Sequence, residues 1–266
     1  MELREKIGEG AGSEVYACGT NDAVKLFTAG TPRETVEYEA RVTSVAHEAG
    51  APAPEVRGLV ELEGRYGIIF PRYHGETLLH LALRGAMTPS EVGRVMAVTQ
   101  HSLHDGQFHV RVRTFREWVL SEIPSLKALK IPGDVVESTT RTLMALPQSG
   151  ILCHGDLHPG NILITSGGSP VIIDWISAID ANPLVDVARQ HVTLTMMRFA
   201  NAWASQLRSA HDSFITTYAG LASEPPARLL TAITPYVSVM AAMRMVESQS
   251  DESEREALIA YVRSQA

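Results

Sequence analysis

Short apolar runs broken by glycine fill the first 75 residues, and helical periodicity takes over after them. Val15-Tyr16-Ala17, Ala23-Val24-Lys25-Leu26-Phe27 and Tyr66-Gly67-Ile68-Ile69-Phe70 have the β-branched and aromatic make-up of strands. One helix interrupts them. Thr31-Pro32-Arg33-Glu34 predicts a capping box with proline at the first helical position. The helix should run to about Ala49, where Gly50 stops it. Beyond residue 75 the periodicity predicts helices at about 77–84, 89–104, 114–129, 134–146, 184–200, 203–221, 226–248 and 253–264. Two short strands, 161–165 and 170–174, sit among them, joined by Ser166-Gly167-Gly168-Ser169 as a hairpin loop. The pattern divides the chain into a small β-rich lobe (1–70), a hinge (71–75) and a larger helical lobe (76–266), an α+β class.

Composition narrows the function. The 266 residues are 45% hydrophobic and 20% charged, ordinary for a globular protein with a sizeable core. A net charge of −7, from 30 acidic against 23 basic residues, argues against nucleic acid as a partner. No apolar run approaches the roughly 20 residues of a membrane-spanning helix, so no membrane partner is expected. The opening MELREKIGEG does not read as a secretory signal. Cys18 and Cys153 do not suggest a disulfide framework or a four-ligand zinc site, and a reducing cytoplasm is the expected compartment.

Ile7-Gly8-Glu9-Gly10-Ala11-Gly12-Ser13 sets three glycines between two extended runs. Glycine lets backbone N–H groups approach phosphate oxygens, although a tight hairpin turn has the same composition. A strand follows, so this is no dinucleotide fingerprint, and it lacks the Gly-Lys-Ser/Thr ending of a P-loop. Its neighbour strengthens it. Lys25 lies mid-strand between Val24 and Leu26, which is costly unless a carboxylate accompanies it. On the capped helix the apolar stripe is Tyr38, Val42, Val45, Ala46 and Ala49. At about 100° per residue Glu39 borders that stripe and Glu37 opposes it, so Glu39 is the expected partner and Glu37 the alternative.

The strongest signal is His154-Gly155-Asp156-Leu157-His158-Pro159-Gly160-Asn161, followed by Val171-Ile172-Ile173-Asp174-Trp175. Apolar runs flank a polar loop, and the second run delivers an aspartate at its end. Mg²⁺ takes oxygen ligands, which Asp174 and the Asn161 amide could supply. Asp156 is placed to orient a hydroxyl and accept its proton.

His-Gly-Asp with an asparagine five residues after the aspartate resembles the catalytic loop of protein-kinase-like enzymes. With Ile173-Asp174-Trp175 and Asn182-Pro183-Leu184-Val185-Asp186-Val187-Ala188, the string resembles the aminoglycoside phosphotransferase and choline kinase family. Trp175 departs from the Asp-Phe-Gly of protein kinases, and no Ala-Pro-Glu segment follows. The resemblance implies a bilobal protein-kinase-like fold and transfer of the γ-phosphoryl group of ATP, with Mg²⁺, to a small-molecule hydroxyl. It implies Asp156 as catalytic base or orienter, Asn161 and Asp174 as metal ligands, and Lys25 with Glu39 on the phosphates. Gly10, Ala11, Gly12 and Ser13 would cover the phosphates. The Pro71 carbonyl and the Tyr73 N–H would meet adenine. His154 and Asp186 would brace the loop.

Residues 150–266 hold 11 acidic residues against 7 arginines and no lysine, which favours a cationic or polyhydroxyl acceptor such as an aminoglycoside. The residues leave open a kinase of an amino alcohol or sugar, a nucleotide-binding protein without transferase activity, and a protein-serine kinase. His101, His104 and His109 lack the nearby Asp, Glu or Cys pattern of a zinc site. Met196, Met197, Met240, Met243 and Met245 read as helix-packing core, with a soft, adaptable substrate pocket as the alternative, and Cys153 as a buried, unreactive thiol.

Overall fold

The computed structural model of the chain describes residues 2–10, 12–147, 150–196, 204–247 and 252–265. In chain order the strands are β1 (Leu3–Gly10), β2 (Ser13–Cys18), β3 (Asp22–Phe27), β4 (Gly58–Leu62), β5 (Arg65–Pro71), β6 (Gly75–Thr77), β7 (Ile151–Cys153), β8 (Ile162–Thr165), β9 (Pro170–Ile172) and β10 (Ile179–Ala181). The helices are α1 (Arg33–Glu48), α2 (Leu78–Leu83), α3 (Pro89–Asp105), α4 (Phe115–Ala128), α5 (Gly133–Ala145), α6 (Leu184–Met196), α7 (Ala204–Leu221), α8 (Pro226–Val246) and α9 (Glu252–Ser264). By contact they form two compact units. One holds Met1–Thr77 with Asn161–Ser177, and the other Leu78–Gly160 with Ala178–Ala266.

The first unit is built on an antiparallel sheet ordered β1-β2-β3-β5-β4. Helix α1 lies between β3 and β4 in sequence. It presses Val36 and Ala40 onto Phe27 and Ile68, with Val56, Tyr66 and Phe70 packed around them. Each large side chain buried in that cluster contributes about 1.5–3 kcal/mol. The start of α1 differs from expectation. Pro32 is itself the cap, no side chain caps the helix, and the Thr31 hydroxyl meets that of Thr28 instead. With the helix starting at Arg33, Glu34 stands too early to reach back as a capping-box residue. The C-terminal end is as read: Gly50 takes φ +93° just past it.

The hairpin of β8 and β9 belongs to this unit, although it is far away in sequence. It adds to β6 in the order β6-β8-β9, and the Ile172 N–H donates to the Pro52 carbonyl. Gly75 opens β6 because a Cβ there would overlap the Ile164 carbonyl.

The second unit is helical, with β7 and β10 paired antiparallel. Helix α3 packs on α7 so closely that a Cβ on Gly93 would overlap the backbone of Ala210. Thr88 and Thr114 form the capping boxes of α3 and α4 with Glu91 and Glu117. Helix α8 is long and apolar enough to cross a membrane by length and composition, contrary to the expectation that no apolar run approaches that length. Met240, Met243 and Met245 on it are buried against the other helices, as core residues, while Met197 lies outside the described residues.

Candidate active site

The glycine-rich segment is a hairpin between β1 and β2. Gly10 faces Ser13 across the turn, and the Gly12 carbonyl accepts from the Thr28 N–H at 3.0 Å. Gly12 and a buried Ser13 are thus anchored on the sheet, while Ala11 lies outside the described residues.

Lys25 stands on β3 between Val24 and Leu26, both buried, opposite Val15 on β2 and Ile68 on β5. Its Nζ donates to Glu39 Oε1 at 2.7 Å and to Asp174 Oδ1 at 3.1 Å. The side chains are 13% exposed for Lys25, 1% for Glu39 and 41% for Asp174. Burial works against the ammonium, but the Glu39 and Asp174 carboxylates outweigh it and hold Lys25 above its ordinary value. Glu37 instead pairs with Arg33 on the exposed face of α1 at 2.7 Å.

Asp174 leaves β9 with φ +65°, a left-handed conformation that costs energy for a non-glycine residue. Trp175, fully buried beneath it, donates from Nε1 to the Ile172 carbonyl at 2.7 Å and fixes the turn. Asn161 is buried at the start of the same hairpin, where its carbonyl accepts from the Ile173 N–H at 2.9 Å. The hairpin thereby places a carboxylate and an amide at neighbouring strand ends. These are hard oxygen donors, and Asp174 is open to solvent, so the pair fits Mg²⁺. Pro71 ends β5 opposite Asp22, and Tyr73 follows in the link to β6. The Arg72 N–H donates to the Asn21 carbonyl and the His74 carbonyl accepts from the Ser166 N–H, at 2.8 and 2.7 Å.

Asp156 belongs to the second unit, on the loop after β7. The loop is held from below by Asp186, on the first turn of α6. Its two carboxylate oxygens accept from the His154 and Gly155 N–H groups, each at 2.8 Å. Gly155 takes φ +79°, a conformation that glycine adopts without strain. The buried His154 ring accepts from the Asp156 N–H through Nδ1 at 3.3 Å, and so braces the loop. Burial pushes the Asp186 carboxyl up, but its hydrogen bond from His104 and the backbone N–H of Gly155 leave it below its ordinary value.

His104, which the sequence offered only as a metal-ligand candidate, has a different place here. Its Nε2 donates to Asp186 at 3.2 Å, and its Nδ1 lies 2.8 Å from the Tyr218 hydroxyl. Cys153 lies close by, and burial pushes its thiol well up. With both Asp186 oxygens and both His104 nitrogens engaged, this cluster is a brace rather than a metal centre. His109 meets the Gly150 carbonyl and His101 packs its ring on Tyr218, so the three histidines do not converge.

Asp156 Oδ1 accepts from Arg189 Nη2 at 3.0 Å, and His158 Nε2 lies 3.9 Å from Oδ2. Burial raises the carboxyl, yet Arg189 and His158 more than offset it and keep Asp156 ionised below the usual carboxylate range. Arg189 was not read from the sequence. Its signal was there, three residues after Asp186 and therefore on the same face of α6.

Residues 4–223 match the family model APH, described as the phosphotransferase enzyme family. No curated protein matches the sequence. Solved structures share the fold at low identity. One is a thermostable mutant of aminoglycoside phosphotransferase APH(4)-Ia in ternary complex with AMP-PNP and hygromycin B. It is 18% identical with a TM-score of 0.63, over 100% of this chain and 94% of that one. Another is aminoglycoside phosphotransferase APH(2'')-Ib bound to ADP, 12% identical with a TM-score of 0.58, over 98% and 93% of the two chains. A third is the streptomycin–ATP–APH(2'')-IIa ternary complex, 13% identical with a TM-score of 0.55, over 99% and 91%.

Proposed function

The chain belongs to the phosphotransferase enzyme family, and on that premise we propose that it moves the γ-phosphoryl group of ATP to a hydroxyl of a small aminoglycoside-type acceptor. The observation that carries the nucleotide half of this reading is the Lys25 ammonium, almost withdrawn from water and gripped by both Glu39 and Asp174. A lysine so held is costly unless it serves something, and phosphate is the anion its position beside the glycine hairpin suits.

In this reading the N–H groups of Gly10 to Ser13 cover the phosphates, and Lys25 binds the α- and β-phosphate oxygens. The Pro71 carbonyl and Tyr73 N–H receive the adenine edge. Asn161 and Asp174 would hold Mg²⁺, which when bound neutralises phosphate charge and orients the γ-phosphoryl group. Asp156 accepts a hydrogen bond from the acceptor hydroxyl and aligns its oxygen with the phosphorus. As the new O–P bond forms, the bond from phosphorus to the ADP oxygen breaks, and the hydroxyl proton passes to an Asp156 oxygen and on to solvent. An Asp156 held ionised is a weak base, so its main contribution is alignment, and it takes the proton late. Cys18 and Cys153 are both buried thiols, in keeping with the proposed cytoplasmic setting.

ATP consumption measured against hygromycin B, streptomycin, choline and simple sugars tests the proposal. An aminoglycoside should stimulate turnover most. Stimulation by choline or a sugar alone would replace the acceptor class, and no Mg²⁺-dependent nucleotide binding at all would overturn the reading.

A further inference from the structure

Arg189 makes contacts that reach well beyond the catalytic loop. Its Nη2 donates to Asp156, while Nη1 donates to Glu247, the residue that closes α8. Its side chain is 12% exposed, and its Nε–H is buried without an acceptor among the described residues. The plane of the guanidinium is therefore set at its two ends, each by a carboxylate. Glu247 also holds Arg244 of α8, and Arg244 Nε donates to Glu254 of α9 at 2.7 Å. Arg244 and Glu254 are both buried. Five charges of alternating sign thus run from the catalytic loop to the last helix. Three of them, Arg244, Glu247 and Glu254, lie outside the segment that matches the family.

We propose that Arg189 is a positioning residue for Asp156, and that Glu247 holds it to that task from the end of α8. The inference rests on the reading of Asp156 as the group that meets the acceptor hydroxyl. An aspartate gripped at one oxygen by a freely turning cation can swing about its side-chain torsions. A planar guanidinium anchored on both sides removes that freedom and presents the carboxylate in one orientation. Transfer depends steeply on alignment, and a misplacement of about 1 Å costs on the order of 100-fold. The C-terminal helices then contribute to the chemistry without touching the substrate.

The variants Arg189→Gln, Arg189→Lys and Glu247→Gln test this in the full chain. The readouts are Mg·ATP turnover with hygromycin B and with water as acceptors, and crystal structures with Mg·AMP-PNP. Arg189→Gln should lower kcat about 10–100-fold while KM for ATP holds. Its Asp156 carboxylate should turn away or split between conformers. Arg189→Lys should recover part of kcat, and Glu247→Gln should lose less than Arg189→Gln. A wild-type kcat in Arg189→Gln, or an Asp156 carboxylate in its original orientation, would overturn the inference. So would a loss that appears only in KM, or one that Lys does not relieve. If Arg189→Gln does not fold, Glu247→Gln decides by the same two readouts. Asp156→Asn, run alongside, separates the two levels. Wild-type turnover there sinks the reading of Asp156 itself, whereas an inactive Asp156→Asn beside a normal Arg189→Gln sinks only this inference.

Discussion

Replacing Glu39 and Glu37 separately by glutamine puts the nucleotide-binding reading under strain. Both are glutamates of α1 with a cationic partner at 2.7 Å, so contact distance alone predicts equal effects. Their surroundings do not match. Glu37 and Arg33 are 44% and 63% exposed, and such a pair contributes about 0.3–0.5 kcal/mol. Glu39 is buried, and losing one partner of a buried pair costs about 3–5 kcal/mol when the other charge is stranded. Lys25 is not stranded, because Asp174 still holds it at 3.1 Å. Glutamine also relieves the cost of keeping a carboxylate away from water, and Glu39 Oε2 has no hydrogen-bond partner among the described residues. The net loss should therefore stay within about 1–2 kcal/mol. At roughly 2–4 °C per kcal/mol, Glu39→Gln should melt several degrees lower and Glu37→Gln within about 2 °C of the parent. Function should separate them further. Without Glu39 the Lys25 ammonium turns to Asp174, where it neutralises the proposed metal ligand and no longer faces phosphate. Calorimetric titration with Mg·AMP-PNP should show an affinity loss of about 10–100-fold for Glu39→Gln, equivalent to about 1.4–2.7 kcal/mol, and none for Glu37→Gln. Equal losses in the two variants would refute the reasoning.

Three further outcomes follow from the same geometry. Asp156→Asn should abolish phosphoryl transfer yet leave Mg·AMP-PNP affinity within about twofold by calorimetry, since Asp156 is read as meeting the acceptor. Asp174→Asn keeps a residue that tolerates left-handed backbone but removes the charge a hard cation needs. The Mg²⁺ dependence of nucleotide affinity should fall at least tenfold, about 1.4 kcal/mol, and a retained dependence would exclude Asp174 as a ligand. His191 on α6 is held down to about 4 by burial and by His211 beside it. The unfolded chain takes up that proton below about pH 6.5, so the stability is present above 6.5 and is lost as pH falls toward 4. That loss is about 2 kcal/mol between pH 7 and 5, and His191→Asn should flatten this part of the melting-temperature profile.

The long periodic helices and the hairpin at 162–172 were legible because their signals are local, and so was the inward turn of Glu39, which follows from helical angle alone. The start of α1 was misread. The spacing of Thr31 and Glu34 satisfies the capping-box pattern, but the helix begins one residue later than that pattern requires. The true capping boxes, at Thr88 and Thr114, carry the same Thr-to-Glu spacing and went unremarked. Strands β6, β7 and β10, of three residues each, are too short to display a period. The brace beneath the catalytic loop joins His104 to Asp186 across 82 residues, and no local pattern announces a contact of that range. Charge counting missed something related. Several acidic residues that made the C-terminal half look suited to a cation are already paired internally, Glu247 and Glu254 with arginines of the same half.

The first compact unit is made from two stretches of chain that synthesis separates in time. Lys25 and Asp174, which meet in it, are 149 residues apart, and strand β6 waits for β8. A ribosome adding about 5–20 residues per second needs roughly 5–20 s to pass from Thr77 to Ser177, the second piece of the unit. Until Thr165 is made β6 has no partner strand, and until Asp174 is made Lys25 has Glu39 alone. The sheet and α1 can form early, but the first unit cannot be completed by the N-terminal segment. Synthesis halted before Ile162 would leave a nascent chain with β6 as an unpaired strand edge, a species for chaperones to shield.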